Sequence, residues 1–268
     1  MERPKPKVSI IIMTKNTPLM ILKRCIASLY AQTIKELELI IMDMNEPTSV
    51  FKEALKTDRA DKIFQGITFF EMPDTKEFVT SKNRMLQNFH GEYLTFISSQ
   101  DTMPPKRLEL ALEALEYHRE KTVVCTNYIL QANNVLDVSN YQISSHGFSY
   151  LGQLIFHRDS FHLIGEFDRY LVAHVDDELV LRLKRIGQIL DFPVEEAAIK
   201  VTADFYKQFD SVDGAIGCRQ LYTKYKAYYQ KNRKAKKALY YQTAEHYKDA
   251  GLIFRYIQFY TKALFTRI

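Results

Sequence analysis

The feature that most constrains the fold is a pair of continuous apolar runs, rich in β-branched residues, at 8–13 and 37–42. Such runs are typical of strands buried on both faces of a parallel sheet. Between them, Leu22, Ile26 and Leu29 recur at helical spacing. The chain therefore opens as strand, helix, strand, which favours an open parallel sheet that binds ligands at the carboxyl ends of its strands.

The same alternation continues to about residue 192. Further strands are predicted at 67–72, 93–97, 122–130, 152–157 and 188–192, and further helices at 74–89, 108–118 and 176–186. After about residue 210 the pattern changes to helices rich in lysine and tyrosine. We therefore expect an α/β domain over 1–211, Rossmann-like with a mainly parallel sheet flanked by helices, and a basic helical extension over 212–268.

Cysteine usage and hydropathy indicate a cytoplasmic protein. Cys25, Cys125 and Cys218 are odd in number and far apart, so they predict neither a disulfide framework nor a zinc site of the Cys-x-x-Cys type. The first apolar run is too short for a signal peptide, and no segment approaches the roughly 20 apolar residues of a membrane span. The histidines show no metal-type spacing, although His174 stands out because it lies two residues before an acidic pair.

The net charge of +5 is unevenly distributed along the chain. Twelve basic and three acidic residues from Asp213 onwards give this tail a charge of +9, which leaves −4 for the rest. Lysines among aromatic residues suit a nucleic-acid backbone, but the acidic main domain has no recognition-fold signature, so nucleic acid is disfavoured. An anionic membrane surface and a solvated face packed on the domain stay open as explanations for the tail.

Polar residues follow the predicted strands at the points where each strand ends. Thr14 and Asn16 come after the first strand, Asp43 after the second and Asp101 after the fourth. Because the carboxyl ends of parallel strands share one edge of a sheet, we expect these side chains to converge on one pocket. Ordinary turn and helix-capping chemistry is the alternative explanation for each residue taken alone.

Two more segments combine glycines and charged residues at fixed spacing. The first reads Ser81-Lys82-Asn83-Arg84 and continues through Gly91-Glu92-Tyr93 into the fourth predicted strand. The second reads Gly165-Glu166-Phe167-Asp168, then Asp176-Asp177-Glu178-Leu179, then Arg182-Leu183 and Gly187. A carboxylate at the start of a helix, as in this second segment, suits either a capping role or a proton-accepting one.

In order and approximate spacing, these segments resemble the family 2 glycosyltransferases over about residues 7–211. The resemblance implies a GT-A fold and an inverting enzyme that transfers a sugar from a nucleoside-diphosphate donor. A UDP-sugar is the donor considered first, and a hydroxyl of a glycan or lipid-linked sugar is the acceptor, in polysaccharide or glycoconjugate synthesis. A lipid-linked acceptor would place the protein peripherally on the inner face of the membrane.

The resemblance also assigns the donor site residue by residue. The residues implied to bind the nucleotide sugar are Thr14, Asn16, Asp43, Lys82, Asn83 and Asp101. Lys82 stands where the family has an arginine, so it supplies a cation but no bidentate fork. A solvated helix face is the alternative explanation for Lys82.

The chain departs from the family where a divalent metal, Mg²⁺ or Mn²⁺, is expected. The family has Asp-x-Asp after the fourth strand, whereas Ser98 and Gln100 are neutral here and Asp101 alone matches. Phe209 replaces a histidine that is often a third ligand. Either Asp101 binds the metal largely alone, or basic residues neutralise the diphosphate, or the site no longer turns over.

The resemblance makes Asp176 the general base that accepts the acceptor's proton. Gly165, Asp168, Asp177 and Arg182 are implied on the acceptor side. Helix capping is the alternative for Asp176 and Asp177. A non-catalytic relative, which binds a nucleotide sugar or glycan as a partner subunit, is the alternative for the whole chain.

Overall fold

The computed structural model describes residues 5–72, 78–132, 135–137, 150–202 and 211–267. Its strands, in chain order, are β1 (Val8–Thr14), β2 (Leu37–Asp43), β3 (Thr68–Glu71), β4 (Tyr93–Ser98), β5 (Val123–Thr126), β6 (Tyr128–Ala132), β7 (Val135–Asp137), β8 (Leu154–His157), β9 (Ile189–Phe192) and β10 (Ile199–Thr202). Its helices are α1 (Leu19–Tyr30), α2 (Val50–Asp58), α3 (Phe78–Asn88), α4 (Arg107–Tyr117), α5 (Asp159–Ile164), α6 (Val175–Arg185), α7 (Ser211–Lys224), α8 (Lys226–Lys231), α9 (Arg233–Asp249) and α10 (Ile253–Phe265).

The main sheet has the strand order β3-β2-β1-β4-β8-β5-β9. Strands β1, β2, β3 and β4 pair in parallel, as do β5 and β9, whereas β8 runs antiparallel to both of its neighbours. The side chains of β1 and β2 are largely buried, as expected of strands covered on both faces of a parallel sheet. The predicted α/β fold with a mainly parallel sheet and C-terminal helices is confirmed.

One predicted strand is divided in two. The run at 122–130 forms β5 and β6, which lie in different sheets: β6 pairs with β10 and β7. The division falls at Asn127, whose carbonyl accepts a hydrogen bond from Ile199 N at 3.1 Å. Because both halves are apolar and β-branched, the sequence pattern does not reveal the change of sheet.

The described residues form two compact units. The sheet unit contains the strands, α1 to α5, and the segments 150–166 and 183–202. The helical unit contains 167–182 and 211–267, so the unit boundary falls inside α6. The domain boundary predicted after residue 211 lies close to the start of α7 and stays a prediction. The two compact units differ from the predicted domains because residues 167–182 are grouped with the C-terminal helices.

Within the helical unit, α9 packs against α7 and α10. Ala215, Ala244, Tyr247 and Phe259 form its buried apolar cluster. The first of these helices begins at Ser211, close to the predicted start at 212. Among the described residues, no helix has the length and apolar character needed to cross a membrane.

Candidate active site

Three neighbouring strand ends form one edge of the main sheet. Thr14 lies opposite Asp43 in the β1–β2 register, and Met13 lies opposite Ser98 in the β1–β4 register. Met44 N donates to Thr14 O at 2.9 Å, which extends the pairing past the strands. Thr14 and Asp43 are both buried. The structure therefore brings together the carboxyl ends from which three predicted donor residues come.

The Asp43 carboxylate accepts hydrogen bonds from Asn45 and Lys52. Asn45 donates to Oδ1 through its backbone N at 3.0 Å and through Nδ2 at 2.8 Å. Lys52, on α2, donates from Nζ to Oδ2 at 2.7 Å. The Lys52 ammonium also lies 3.3 Å from Glu71 Oε2. Because the Asp43 side chain is fully buried, the ammonium compensates a charge that water cannot reach.

Asn16 joins the same group through the backbone. Its N–H donates to Asn45 Oδ1 at 2.7 Å, and its φ of 51° is in the left-handed region, which asparagine tolerates better than most residues. Asn45 thus links the turn after β1 to the turn after β2.

Lys82 and Asn83 lie in α3, in the helix that leads into β4. Lys82 is 1% exposed and Asn83 is 7% exposed. The alternative that Lys82 belongs to a solvated helix face is therefore wrong. The contact between Lys82 and a diphosphate stays a prediction.

Asp101 is held by protein donors on both carboxylate oxygens. Tyr150 donates its hydroxyl to Oδ2, and Thr202 N donates to Oδ1 at 3.0 Å. The Tyr150 hydroxyl also accepts from Ser98 N at 3.2 Å. Burial raises the pKa of Asp101 to about 6, although the hydrogen bonds from Tyr150 and Thr202 oppose the rise. Burial likewise raises the pKa of Tyr150 well above its usual value.

This donor set does not fit a two-carboxylate metal clamp. Divalent cations such as Mg²⁺ prefer anionic oxygen ligands. Ser98, Ser99 and Gln100 are neutral, and Ser99 Oγ is hydrogen bonded to Thr17 Oγ1 at 2.7 Å. Asp101 is the single carboxylate of this segment, and it already accepts hydrogen bonds from Tyr150 and Thr202. Phe209, predicted to replace a third ligand, lies outside the described residues.

Asp176 lies in the first turn of α6 and is 7% exposed. The partial positive charge of a helix N-terminus attracts acidic side chains to this turn. The preceding His174 closes the first turn, because Glu178 N donates to His174 O at 3.0 Å. Asp177 points its Oδ2 to within 2.8 Å of His174 Nδ1. The two adjacent aspartates thus have different surroundings.

The predicted acceptor-side residue Arg182 contacts a buried carboxylate that had no predicted role, Glu178, and Asp168 is linked to the same carboxylate through Lys224. Arg182 Nη2 lies 2.8 Å from Glu178 Oε2, and Lys224 Nζ lies 2.7 Å from both Glu178 Oε1 and Asp168 Oδ2. Tyr225 also donates to Glu178 Oε1. Glu178 therefore connects α6 to α7.

Hydrogen bonding also shifts the pKa of Asp168. Burial alone raises that pKa, but the hydrogen bonds from Lys224 Nζ and Tyr170 N outweigh it, so the net pKa lies below its usual value. Gly165 belongs to the sheet unit and ends α5 with a φ of 73°, a conformation that favours glycine. Its acceptor-side role stays a prediction.

Part of the sequence is similar to known proteins. The sequence profile described as Glycosyl transferase family 2 matches residues 9–177. An uncharacterized glycosyltransferase of Methanocaldococcus jannaschii is 30% identical over 120 residues, which is 44% of this chain and 40% of that protein's length. The match therefore spans well under half of that relative.

Two solved structures share the fold at 14% sequence identity. S. aureus TarS 1–349 in complex with UDP-GlcNAc has a TM-score of 0.59, and the match covers 94% of this chain and 90% of that chain. The mannosyltransferase PcManGT from Pyrobaculum calidifontis in complex with GDP-Man and Mn²⁺ has a TM-score of 0.64, with 97% of this chain and 75% of that chain covered. At this identity the likeness shows the fold alone.

Proposed function

The chain belongs to glycosyl transferase family 2, and we propose that it moves a sugar from a nucleoside-diphosphate donor, with inversion, to a hydroxyl of a glycan or lipid-linked acceptor. It is a glycosyltransferase by family. The observation that supports a donor site in this chain is the pairing of Thr14 with Asp43 at adjacent strand ends. In open parallel sheets, ligands bind at that edge.

The donor's base is proposed to contact Asp43 and Thr14. A carboxylate accepts from the N–H groups of a base edge or from ribose hydroxyls, and a threonine hydroxyl both donates and accepts. Although Lys52 and Asn45 already donate to Asp43, a carboxylate has about four lone-pair positions, so acceptor capacity remains. A UDP-sugar is the first donor to test, and TarS and PcManGT were each solved with a nucleotide sugar.

The leaving diphosphate requires positive charge, and Lys82 is the residue proposed to supply it. The segment from Ser98 to Asp101 contains a single carboxylate, so the chain's own cations are expected to contribute more than a carboxylate-held metal does. Asp176 is proposed to accept the proton of the acceptor hydroxyl as it attacks the anomeric carbon. A positioned base of this kind typically contributes about 100- to 10,000-fold to the rate.

Binding and transfer are separable by experiment. Isothermal titration with UDP, GDP and their sugars, each with and without Mn²⁺, measures whether a nucleotide binds and whether the metal strengthens binding. A radiolabelled donor then reports transfer to acceptor and hydrolysis in its absence. Nucleotide-sugar binding followed by transfer supports the proposal, and no binding of any nucleotide contradicts it.

One observation favours a second candidate, a non-catalytic relative that binds a nucleotide sugar or glycan. Both Asp101 oxygens accept hydrogen bonds from Tyr150 and Thr202, as a structural carboxylate would. This candidate predicts binding with neither transfer nor hydrolysis for every donor in the panel.

A membrane-surface location is a separate proposal, based on the C-terminal helices. On α10, Phe254 is 92% exposed and Phe265 is 83% exposed, and the same helix carries the basic residues Arg255 and Lys262. Exposed aromatic residues beside lysines are typical of helices that lie in the membrane interface. We propose that this surface brings the enzyme to a lipid-linked acceptor on the inner, anionic leaflet.

A further inference from the structure

Three side chains that are far apart in sequence meet inside the helical unit. His174 immediately precedes α6, Cys218 lies in α7 and His246 lies in α9. His174 Nε2 is 3.1 Å from His246 Nε2 and 3.4 Å from Cys218 Sγ. The ligand-type atoms of the three residues all lie within 4.8 Å of one another. His174 and Cys218 are buried and His246 is half-buried.

We propose that His174, Cys218 and His246 bind a Zn²⁺ ion that joins the start of α6 to α7 and α9. The three residues belong to the helical unit and the proposed donor residues to the sheet unit, and the proposal does not depend on the proposed function. Thiolate and imidazole ligands together are typical of zinc.

The distances match a tetrahedral zinc centre. Zn–N bonds of about 2.0–2.1 Å and Zn–S bonds of about 2.3 Å place two nitrogens about 3.3 Å apart and a nitrogen and a sulfur about 3.6 Å apart. The observed separations of 3.1 Å and 3.4 Å are each shorter than these by a few tenths of an ångström. Side-chain shifts of that size would accommodate the ion, and a water molecule would occupy the fourth ligand position.

A carboxylate lies on the far side of the His174 ring. Asp177 Oδ2 lies 2.8 Å from Nδ1, and a proton held between these two atoms would leave Nε2 to bind a metal ion. A carboxylate behind a histidine in this way is the usual partner of a zinc-bound imidazole. Gln242 Nε2 lies 3.2 Å from Nδ1, and its buried Oε1 has no hydrogen-bond partner among the described residues. The opposite amide orientation places that oxygen against Nδ1–H, which fits the same tautomer.

His174 Nε2 faces both the Cys218 thiol and the His246 ring nitrogen. A Zn²⁺ ion replaces both contacts: it takes the lone pairs of both imidazoles and the Cys218 thiolate, and the thiol proton is released to solvent.

The backbone around the cluster is adapted to close approach. A Cβ at Gly214 would lie 2.5 Å from His246 Cε1 and Nδ1, and a Cβ at Gly217 would lie 2.8 Å from Ala173 O. His174 itself has a φ of 62°, an unfavourable conformation for a residue other than glycine. Strained residues that persist are concentrated at functional sites, and here the strained residue is the one that contacts both other ligands.

The test is zinc content and spectroscopy on the full chain. We expect about one equivalent of zinc per chain by elemental analysis, lost on chelation and regained on addition of Zn²⁺. At a zinc concentration of about 100 Kd, Tm should rise by about 5 °C. Co²⁺ added to the metal-free protein should produce a thiolate-to-metal charge-transfer band.

Matched variants assign the ligands. Cys218→Ser should abolish the Co²⁺ charge-transfer band, and His246→Gln should weaken zinc binding at least tenfold. Cys125→Ser, which removes another buried thiol in the sheet unit, should leave both unchanged. The proposal is overturned if wild-type protein shows neither bound zinc nor a Co²⁺–thiolate band, or if Cys218→Ser and His246→Gln bind zinc as tightly as wild type.

Discussion

Lys52 Nζ lies 2.7 Å from Asp43 Oδ2, and both side chains are shielded from water, with 6% and 0% of their surfaces exposed. This ion pair links α2 to the carboxyl end of β2. It gives the buried Asp43 carboxylate, which is proposed to bind a nucleotide, the paired and hydrogen-bonded neighbours that a buried charged group needs.

Lys52→Met should destabilise the protein strongly. Methionine preserves much of the apolar stem but leaves Asp43 as an uncompensated buried charge, which costs about 3–5 kcal/mol. Urea unfolding monitored by circular dichroism measures the change. Lys56→Met, at an exposed position of the same helix, is the matched control and should change stability by less than about 0.5 kcal/mol. Equal effects of the two substitutions would contradict a structural role for the pair.

Tyr150→Phe should destabilise the protein more at pH 8 than at pH 4.5. The lost hydroxyl leaves Asp101 with one donor fewer, at a cost of about 1–3 kcal/mol when the carboxylate is charged. The folded pKa of Asp101 is about 6, above its ordinary value of 3.8, so the folded state binds the extra proton between these values and its stability falls as pH rises through them. Removing the Tyr150 hydrogen bond enlarges that fall.

Unfolding of the single and double variants at both pH values checks this assignment. In an Asp101→Asn background, Tyr150→Phe should have the same effect at pH 4.5 and pH 8. A pH-independent effect of Tyr150→Phe in the native background would show that Asp101 is not the group that titrates.

Neutralising the basic cluster of the tail should weaken binding to anionic vesicles. The cluster is Lys231, Arg233, Lys234, Lys236 and Lys237. Each basic residue near such a surface contributes about 1 kcal/mol, but Lys236 lies over the rings of Tyr222 and Tyr240, so its share should be smaller. Sedimentation with phosphatidylserine vesicles measures the loss, and zwitterionic vesicles are the control. Unchanged sedimentation of the five-fold glutamine variant would remove the membrane proposal.

Asp176→Asn should reduce turnover at least 100-fold while leaving nucleotide affinity nearly unchanged, since a general base acts in the transition state and not in donor binding. Asp177→Asn is the paired comparison. Its oxygen is directed to His174, and an asparagine amide oxygen can still accept that proton, so its turnover should fall less than tenfold. Steady-state kinetics together with titration calorimetry separates the two effects. Equal losses for both variants would contradict a special role for Asp176.

The sequence predicts the sheet well because its strands are continuous apolar runs. Strands β1 and β2 lie where those runs lie, and the polar residues after them meet at the sheet edge. The ion pair between Asp43 and Lys52 was not predicted. It depends on how α2 packs against the end of β2, and the sequence of α2 contains no motif that indicates this contact. Tyr150 was missed for a similar reason, since it contacts Asp101 from 49 positions away.

The histidine and cysteine cluster shows the same limit. Metal sites are recognised in a sequence when their ligands are closely spaced, whereas His174, Cys218 and His246 come from three separate elements over 72 positions. Only the position of His174, two residues before Asp176, signals that it is unusual. Packing of α7 and α9 supplies the other two side chains.

Nuclear magnetic resonance of the product that wild-type protein forms from the nucleotide sugar it binds most tightly and a hydroxyl acceptor tests the proposed inverting transfer. We expect a glycoside whose anomeric configuration is opposite to that of the donor, formed at a rate that Asp176→Asn reduces at least 100-fold. Retention of configuration, or a donor that binds without being transferred or hydrolysed, would contradict it.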